Sequence, residues 1–316
     1  MHILDAEAVN RAVTMRQAID AVRVGFIALS TGHASVPVRG VLPVEYNTTL
    51  TMPAYIQGSP VSVVKVVSVY PDNARFKLPT VLGSVLVLDA RTGVPLAVLD
   101  GASLTALRTG AASGLATDLL ALPDARILAV LGAGRQARTQ VEAIIAVRAI
   151  EQIRTYSPNH AGAFAQELRE RYGIDVHVAA NPGDAVDGAQ IVAAATNSRT
   201  PVFRLEHLQA GTHVNGIGSF RPDMQEVAAD VVQRAKVVVD HRESVWQEAG
   251  DLIIPRDQGL IRADSDFAEI GEVAAGLRPG RTSRDEITFF KSVGNAVQDA
   301  AVAARVMASI LGSDTP

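Results

Sequence analysis

The chain has 316 residues, 48% apolar and 20% charged, a balance that fits a folded enzyme of two domains or one large α/β unit and argues against a disordered polymer. Its net charge of -4 gives no basic footprint for nucleic acid or an anionic membrane, and the lack of cysteine removes disulfides, thiolate metal sites and thiol nucleophiles. MHILDAEAVN has no basic region leading into an apolar core, and the apolar runs are too short for a bilayer, so a cytoplasmic protein is expected.

Thr14 to Gln17 fits a capping box, and Ile19, Val22, Phe26 and Leu29 then recur at helical spacing until Gly32. From Val36 to Pro43 the chain is extended between proline breakers. Thr49 to Met52, Val61 to Tyr70, Val81 to Leu88 and Val94 to Leu99 predict strands, separated by turns such as Pro71-Asp72-Asn73 and Arg91-Thr92-Gly93. A helix with hairpin-like strands predicts an α+β first domain. Ser103 to Leu120 is a small-residue helix that bridges into a second domain.

From Arg126 the rhythm changes. Apolar runs at 127–131, 153–156, 176–179, 191–195, 213–217 and 237–240 recur about every 25 residues, the length of a strand and its crossover helix. Six such strands predict an α/β, Rossmann-type, doubly wound parallel sheet. The first strand runs into Gly132-Ala133-Gly134-Arg135-Gln136-Ala137. Gly132 permits the turn, Gly134 lets a pyrophosphate approach the backbone, and Ala137 takes the place of the third glycine where the helix packs on the strand. After Asp251 the chain is irregular, and Ser292 to Leu311 predicts a final helix that returns to the first domain.

Several residues carry chemistry. Lys65 shares a strand face with Val61, Val63, Val67 and Val69, where a cation is costly unless it meets an anion. Either Lys65 binds a substrate carboxylate at a domain cleft, or it pairs with an internal Asp or Glu or snorkels from a sheet edge. Arg108 is the sole charge among small neighbours, and a guanidinium grips carboxylate or phosphate bidentately; Arg39 lies in a rigid extended segment. Gly216, Ile217 and Gly218 follow the fifth strand at the carboxyl edge, where the glycines would admit a nicotinamide. Asp223 is the nearest carboxylate that could act as an acid, or else the N-cap of a helix beginning at Met224. After the second strand, Ser157 stands where an acidic residue would hold the NAD ribose, so the site is open to NADP, with Asn159 and His160 as further donors. The seven histidines show no metal-ligand spacing and no GxSxG occurs, so neither a metal site nor a serine hydrolase is expected.

With LTMPAY, KVVSVYPDN, LPTVLGSVLVLDARTGVPLAVLDGASLTALRT, VLGAGRQA, HVNGIGSFRPDMQE, QEAGDL and FFKSVGNAVQD in view, the chain resembles the ornithine cyclodeaminase/mu-crystallin family over nearly its full length. The resemblance implies a homodimer. It gives residues 1–118 with 295–316 to substrate binding and dimerisation, and 119–294 to NAD(P). It implies that Arg39, Lys65 and Arg108 hold a substrate carboxylate, with Thr80, Ser292, Val293 and Gly294 nearby. The cofactor falls to Arg108, Thr109, Gly132 to Ala137, Ser157, Asn159, Thr196 and Gly216 to Gly218, with a lean to NADP over NAD.

Members that cyclise ornithine look to carry a glutamate just before the Met-Pro pair and an aspartate after the Asn-x-x-Gly turn. Leu50 and Phe220 stand there, and SFRPDMQE is similar to the ketimine-reductase branch. The implied reaction is reduction of a small imine carboxylate such as Δ1-pyrroline-2-carboxylate, with Asp223, a water or Lys65 giving the proton. The alternatives are ornithine cyclodeamination, oxidative deamination of an amino acid as in alanine dehydrogenase, and a mu-crystallin-like protein that binds small ligands without turnover.

Overall fold

A computed structural model describes residues 1–262 and 265–312. It divides into two units, residues 1–108 with 295–316 and residues 109–294; residues 313–316 of the expected returning segment lie outside the described part. The division falls between Arg108 and Thr109, inside the helix Gly101–Leu120, rather than near position 118.

The first unit is a seven-stranded sheet: β1 (His2–Leu4), β2 (Ala34–Ser35), β3 (Gly40–Val44), β4 (Asn47–Ile56), β5 (Val61–Val69), β6 (Val81–Asp89) and β7 (Pro95–Asp100). The order is β1-β7-β6-β5-β4-β2, with β3 also on β4, and β1–β7 is the one parallel pair. Strand β4 extends beyond the expected Thr49–Met52, through Pro53. Strand β3 covers residues 47–51 of β4 and β2 covers 55–56, so Pro53 lies between them, where a missing N–H is tolerated.

The helix Met15–Ser30 opens on the expected capping box, with Gln17 N–H donating to Thr14 Oγ1 and Thr14 N–H donating to Gln17 Oε1. It buries Ile19, Val22 and Phe26 and packs on the helix Ala296–Leu311, where a Cβ at Gly25 would stand 3.0 Å from that of Ala301. The final helix starts at Ala296 rather than Ser292 because Asn295 is its N-cap, its side chain accepting from Val297 N–H. It lies on β4 and β5 and brings its first turn to the buried face of β5.

The second unit is an all-parallel sheet: β8 (Ile127–Leu131), β9 (Gln152–Tyr156), β10 (Asp175–Val178), β11 (Ile191–Ala194), β12 (His213–Gly216), β13 (Lys236–Val239), β14 (Ala268–Glu269) and β15 (Thr288–Lys291). The order β10-β9-β8-β11-β12-β15-β13-β14 is doubly wound, and the order in which strands are added switches side between β8 and β11, which are parallel. Alternation along β8 sends Leu128 and Val130 into one core and Ala129 and Leu131 into the other, as a sheet covered on both faces requires. Two strands beyond the expected six appear, β14 and β15. The latter is a four-residue TFFK run that enters last, between β12 and β13.

Candidate active site

In the second unit the carboxyl edge is built around the glycine turn. Gly132 has φ +105°, in the region that favours glycine, and a Cβ there would stand 2.4 Å from the Ala195 carbonyl beyond β11. Gly134 caps the helix Arg135–Ile145 with open space over its Cα, and the Gln136 Oε1 in the first turn is buried without a partner. An open glycine ahead of a helix N-terminus and an orphaned acceptor fit a dinucleotide. Arg135 is exposed, Ala133 half-buried and Ala137 buried against the strand, while Ser157 is half-buried and Asn159 exposed just beyond β9. Thr109 is buried in the bridging helix, and a Cβ at neighbouring Gly110 would meet the Thr139 carbonyl at 2.6 Å. That close approach is why the helix is made of small residues.

Arg138, not singled out in the sequence, staples this turn. Its Nη1 donates to the carbonyls of Ala133 (2.7 Å) and Gly134 (3.1 Å), its other nitrogens pair with Glu167, and the guanidinium lies 5.1 Å from the Phe164 ring centre. Arg138→Ala frees both carbonyls and is expected to weaken NADH binding about tenfold, because hydrogen bonds to a charged group are the stronger ones. Calorimetric titration with NADH checks this; an unchanged affinity would contradict it.

Internal packing alone requires glycine at Gly216 and Gly218, beside the expected role of admitting a nicotinamide. A Cβ on Gly216 would meet the Phe289 ring at 2.7 Å, and one on Gly218 would meet the Thr196 carbonyl at 2.0 Å and Glu226 at 2.6 Å. Ile217 is buried, its N–H donating to Ala194. Glu226 was the missed residue here. Fully buried, it accepts from the N–H groups of Thr196 (2.5 Å), Gly218 (2.5 Å) and Ser219 (3.0 Å). Asp251 accepts from the N–H groups of Glu226 and Val227 and pairs with Lys291 at 2.8 Å, with both side chains fully buried. Burial and the neighbouring Asp251 push the Glu226 carboxyl above its usual range, against the pull of Lys291 and the amide donors.

Ser292, Val293 and Gly294 are likewise spent within the fold. The Ser292 hydroxyl and the N–H groups of Val293 and Gly294 all donate to Oδ2 of buried Asp240 at 2.8–2.9 Å, so they are not free donors for a substrate.

Asp223 is not placed as an acid. No helix begins at Met224; the segment is a turn, and Asp223 is 44% exposed between Arg221 (3.0 Å) and Arg199 (3.2 Å).

In the first unit the sheet and the final helix gather the charges. Lys65 is 2% exposed, and its Nζ lies 2.6 Å from Asp299 Oδ2. Arg108 Nε is 3.4 Å from Asp299 Oδ1, and its Nη1 donates to Gln298 Oε1 at 2.5 Å. The 3.4 Å approach is an ion pair without hydrogen-bond alignment, and Arg108 Nε, Asp299 Oδ1 and Gln298 Nε2 are all buried without hydrogen-bond partners. Three orphaned polar atoms in one place are too costly for a finished core. Lys65 is lowered to about 8, by burial first and then by Arg108 and Arg39, with Asp299 opposing. Arg39 is half-buried, and its charge is thus felt at Lys65. Thr80 is exposed ahead of β6, five positions before Val85, which faces Lys65 across the sheet. The structure does not bring it into the charged cluster. Asp299 and Gln298 were missed, although a carboxylate among Val297, Ala300 and Ala301 on the inner face of a helix is the same signal that drew attention to Lys65.

Among the described residues no group of three or more His, Cys, Asp or Glu could hold a metal ion, and no helix is long and apolar enough to cross a membrane.

The profile of the ornithine cyclodeaminase/mu-crystallin family matches residues 1–314. The chain is 42% identical over 308 residues to a Δ1-pyrroline-2-carboxylate reductase of Bacillus cereus, covering 96% of this chain and 94% of that one. It is similar to the solved structure of Thermococcus litoralis Δ1-pyrroline-2-carboxylate reductase in complex with NADH and L-proline, with a TM-score of 0.92, 39% identity and 98% of each chain covered. An archaeal alanine dehydrogenase dimer with bound NAD gives a TM-score of 0.92 at 34% identity, over all of this chain and 97% of that one. With its two units, its glycine turn and its full-length match, the chain belongs to the ornithine cyclodeaminase/mu-crystallin family of NAD(P)-dependent enzymes acting on amino acids and their imines.

Proposed function

We propose that this protein reduces Δ1-pyrroline-2-carboxylate, or a closely related cyclic imine carboxylate, to the L-amino acid. The observation that carries the reading is the buried Lys65–Arg108–Asp299 cluster, with its orphaned donors and two buried cations on one carboxylate. Such a cluster asks for one more anion, and a substrate carboxylate supplies it. Two relatives matched over nearly their whole length act on this imine by name, and one of them was solved with NADH and L-proline.

Reduction adds a hydride to the imine carbon and a proton to its nitrogen. NAD(P)H, held at the carboxyl edge of the second unit, supplies the hydride. Lys65, Arg108 and Arg39 bind the carboxylate. Lys65, protonated but close to its lowered pKa, is the proton source in preference to Asp223. Asp299 holds Lys65 and balances the positive charge of a protonated imine. Half-buried Leu50 and exposed Phe220 offer no carboxylate for a side-chain ammonium or for deamination, which disfavours ornithine as substrate.

The test is to compare Δ1-pyrroline-2-carboxylate with Δ1-pyrroline, which lacks the carboxylate. The expected kcat/KM ratio is about a hundredfold or more, the worth of a desolvated charge pair. Equal rates would contradict the reading.

Ser157 leaves room for a 2′-phosphate, and we assign the protein a preference for NADPH with use of NADH retained. Ser157→Asp is expected to lower kcat/KM with NADPH about a hundredfold by like-charge repulsion and to leave NADH nearly untouched. Parallel loss with both cofactors would remove Ser157 from the cofactor site. A homodimer completes the proposal. The hairpins of the first unit expose Val38, Val41, Leu42, Tyr46, Phe76 and Leu78, each more than half accessible, an apolar surface of the kind that association covers. The archaeal alanine dehydrogenase is itself a dimer.

A further inference from the structure

The carboxylate of Glu226 ties together loops that follow two neighbouring strands. It takes the Thr196 N–H beyond β11 and the Gly218 and Ser219 N–H groups beyond β12. Asp251 fixes the Glu226 backbone and, through Lys291, anchors it to β15, the next strand in the sheet. One buried acid–acid–lysine chain thus pins the carboxyl ends of three adjacent strands.

Every peptide here is trans, so each N–H drawn toward Glu226 turns the carbonyl of the same peptide the other way. The Ala195 carbonyl is thereby set against Gly132, where it leaves no room for a Cβ. The carbonyls of Ile217 and Gly218 are set facing away from Glu226. The Gly216 carbonyl already accepts from Ser292 N–H, and the Ile217 N–H is spent on Ala194. The nicotinamide end of the cofactor carries a carboxamide whose NH2 group needs acceptors, whereas the diphosphate needs donors and cations. Carbonyls turned outward serve the carboxamide and would repel the diphosphate.

We propose that Glu226 is a positioning residue for the nicotinamide: by gathering the N–H groups of Thr196, Gly218 and Ser219 it presents the Ile217 and Gly218 carbonyls as acceptors for the carboxamide. The proposal concerns the cofactor alone and stands whichever imine is reduced. Glutamine in this place has one acceptor oxygen, and its NH2 group must meet one or more N–H donors, so at least one loop is released.

Glu226→Gln separates the two ends of the cofactor when NADH is compared with ADP-ribose, which lacks the nicotinamide, by calorimetric titration. Affinity for NADH is expected to fall about tenfold or more while that for ADP-ribose stays within about twofold. Equal loss for both would make Glu226 a structural residue only, and no loss for either would remove it from the site. If the variant does not fold, amide hydrogen exchange on the unaltered protein decides. The Thr196, Gly218 and Ser219 amides should exchange as slowly as strand amides before any cofactor is added. Rapid exchange that slows only with NADH would overturn a preformed clamp.

Discussion

Lys65→Met is expected to lower kcat/KM for Δ1-pyrroline-2-carboxylate by about a hundred- to a thousandfold while leaving NADPH affinity unchanged. The side chain is nearly the length of lysine, so the row of apolar neighbours on β5 keeps its packing. What is lost is one cation of a desolvated pair, with a cost of about 2–5 kcal/mol in such places, together with the proton source. Asp299 retains Arg108, so the site keeps an anion beside a cation and the fold should survive. Cofactor titration beside steady-state kinetics separates the outcomes. Parallel loss of cofactor affinity and turnover would mean that Lys65 acts only as a structural lysine.

Asp299→Asn is the second large effect and has a distinctive pH signature. Asp299 is the influence that raises the Lys65 pKa, whereas burial, Arg108 and Arg39 lower it to about 8. Removing the carboxylate lets the lowering causes act alone, so the Lys65 pKa falls further. If protonated Lys65 is required, kcat/KM in the parent enzyme falls as pH rises above about 8, and the variant's fall begins at lower pH. Stability moves in a linked way. Between about 8 and 10.5 the unfolded lysine holds a proton that the folded one has lost, so stability rises with pH across that window, and below 8 the cost of the buried charge is present in full. The variant deepens that cost and is expected to be less stable by about 3–5 kcal/mol at neutral pH, the usual result of leaving buried charges without their partner. A thermal unfolding series against pH checks the stability, and pH–rate profiles check the limb. An alkaline limb that stays in place would show that Lys65 does not govern it.

Much of the architecture was legible because it depends on local pattern. The capping box at Thr14 and Gln17, the alternation along β5 and the glycine turn at Gly132 each follow from a few neighbouring residues, and each stands where expected. Lys65 was conspicuous as a charge in an apolar row. Its partner was not, because Asp299 lies 234 positions away in a helix that looks merely amphipathic, and nothing local marks which strand it meets. Strand β15 was missed for a related reason: a four-residue run following an irregular stretch is too short to stand out until the sheet supplies its neighbours. Glu226, in a loop, and Asp251, in the first turn of the helix Gly250–Asp257, were hidden because acids are ordinary in both places, whereas here they accept from backbone groups that only the folded sheet edge brings together. Asp223 misled for the opposite reason. Its place in the motif was suggestive, but two arginines and solvent surround it.

The most direct measurement sets two substrates against each other with purified protein: oxidation of NADPH and of NADH with Δ1-pyrroline-2-carboxylate, and formation of proline and ammonia from ornithine with NAD+ supplied, a conversion that leaves the NAD+ pool unchanged. Rapid loss of reduced cofactor with the imine, matched by L-proline formed, and no proline from ornithine is the predicted result. Proline released from ornithine, with the imine left unreduced, would contradict it.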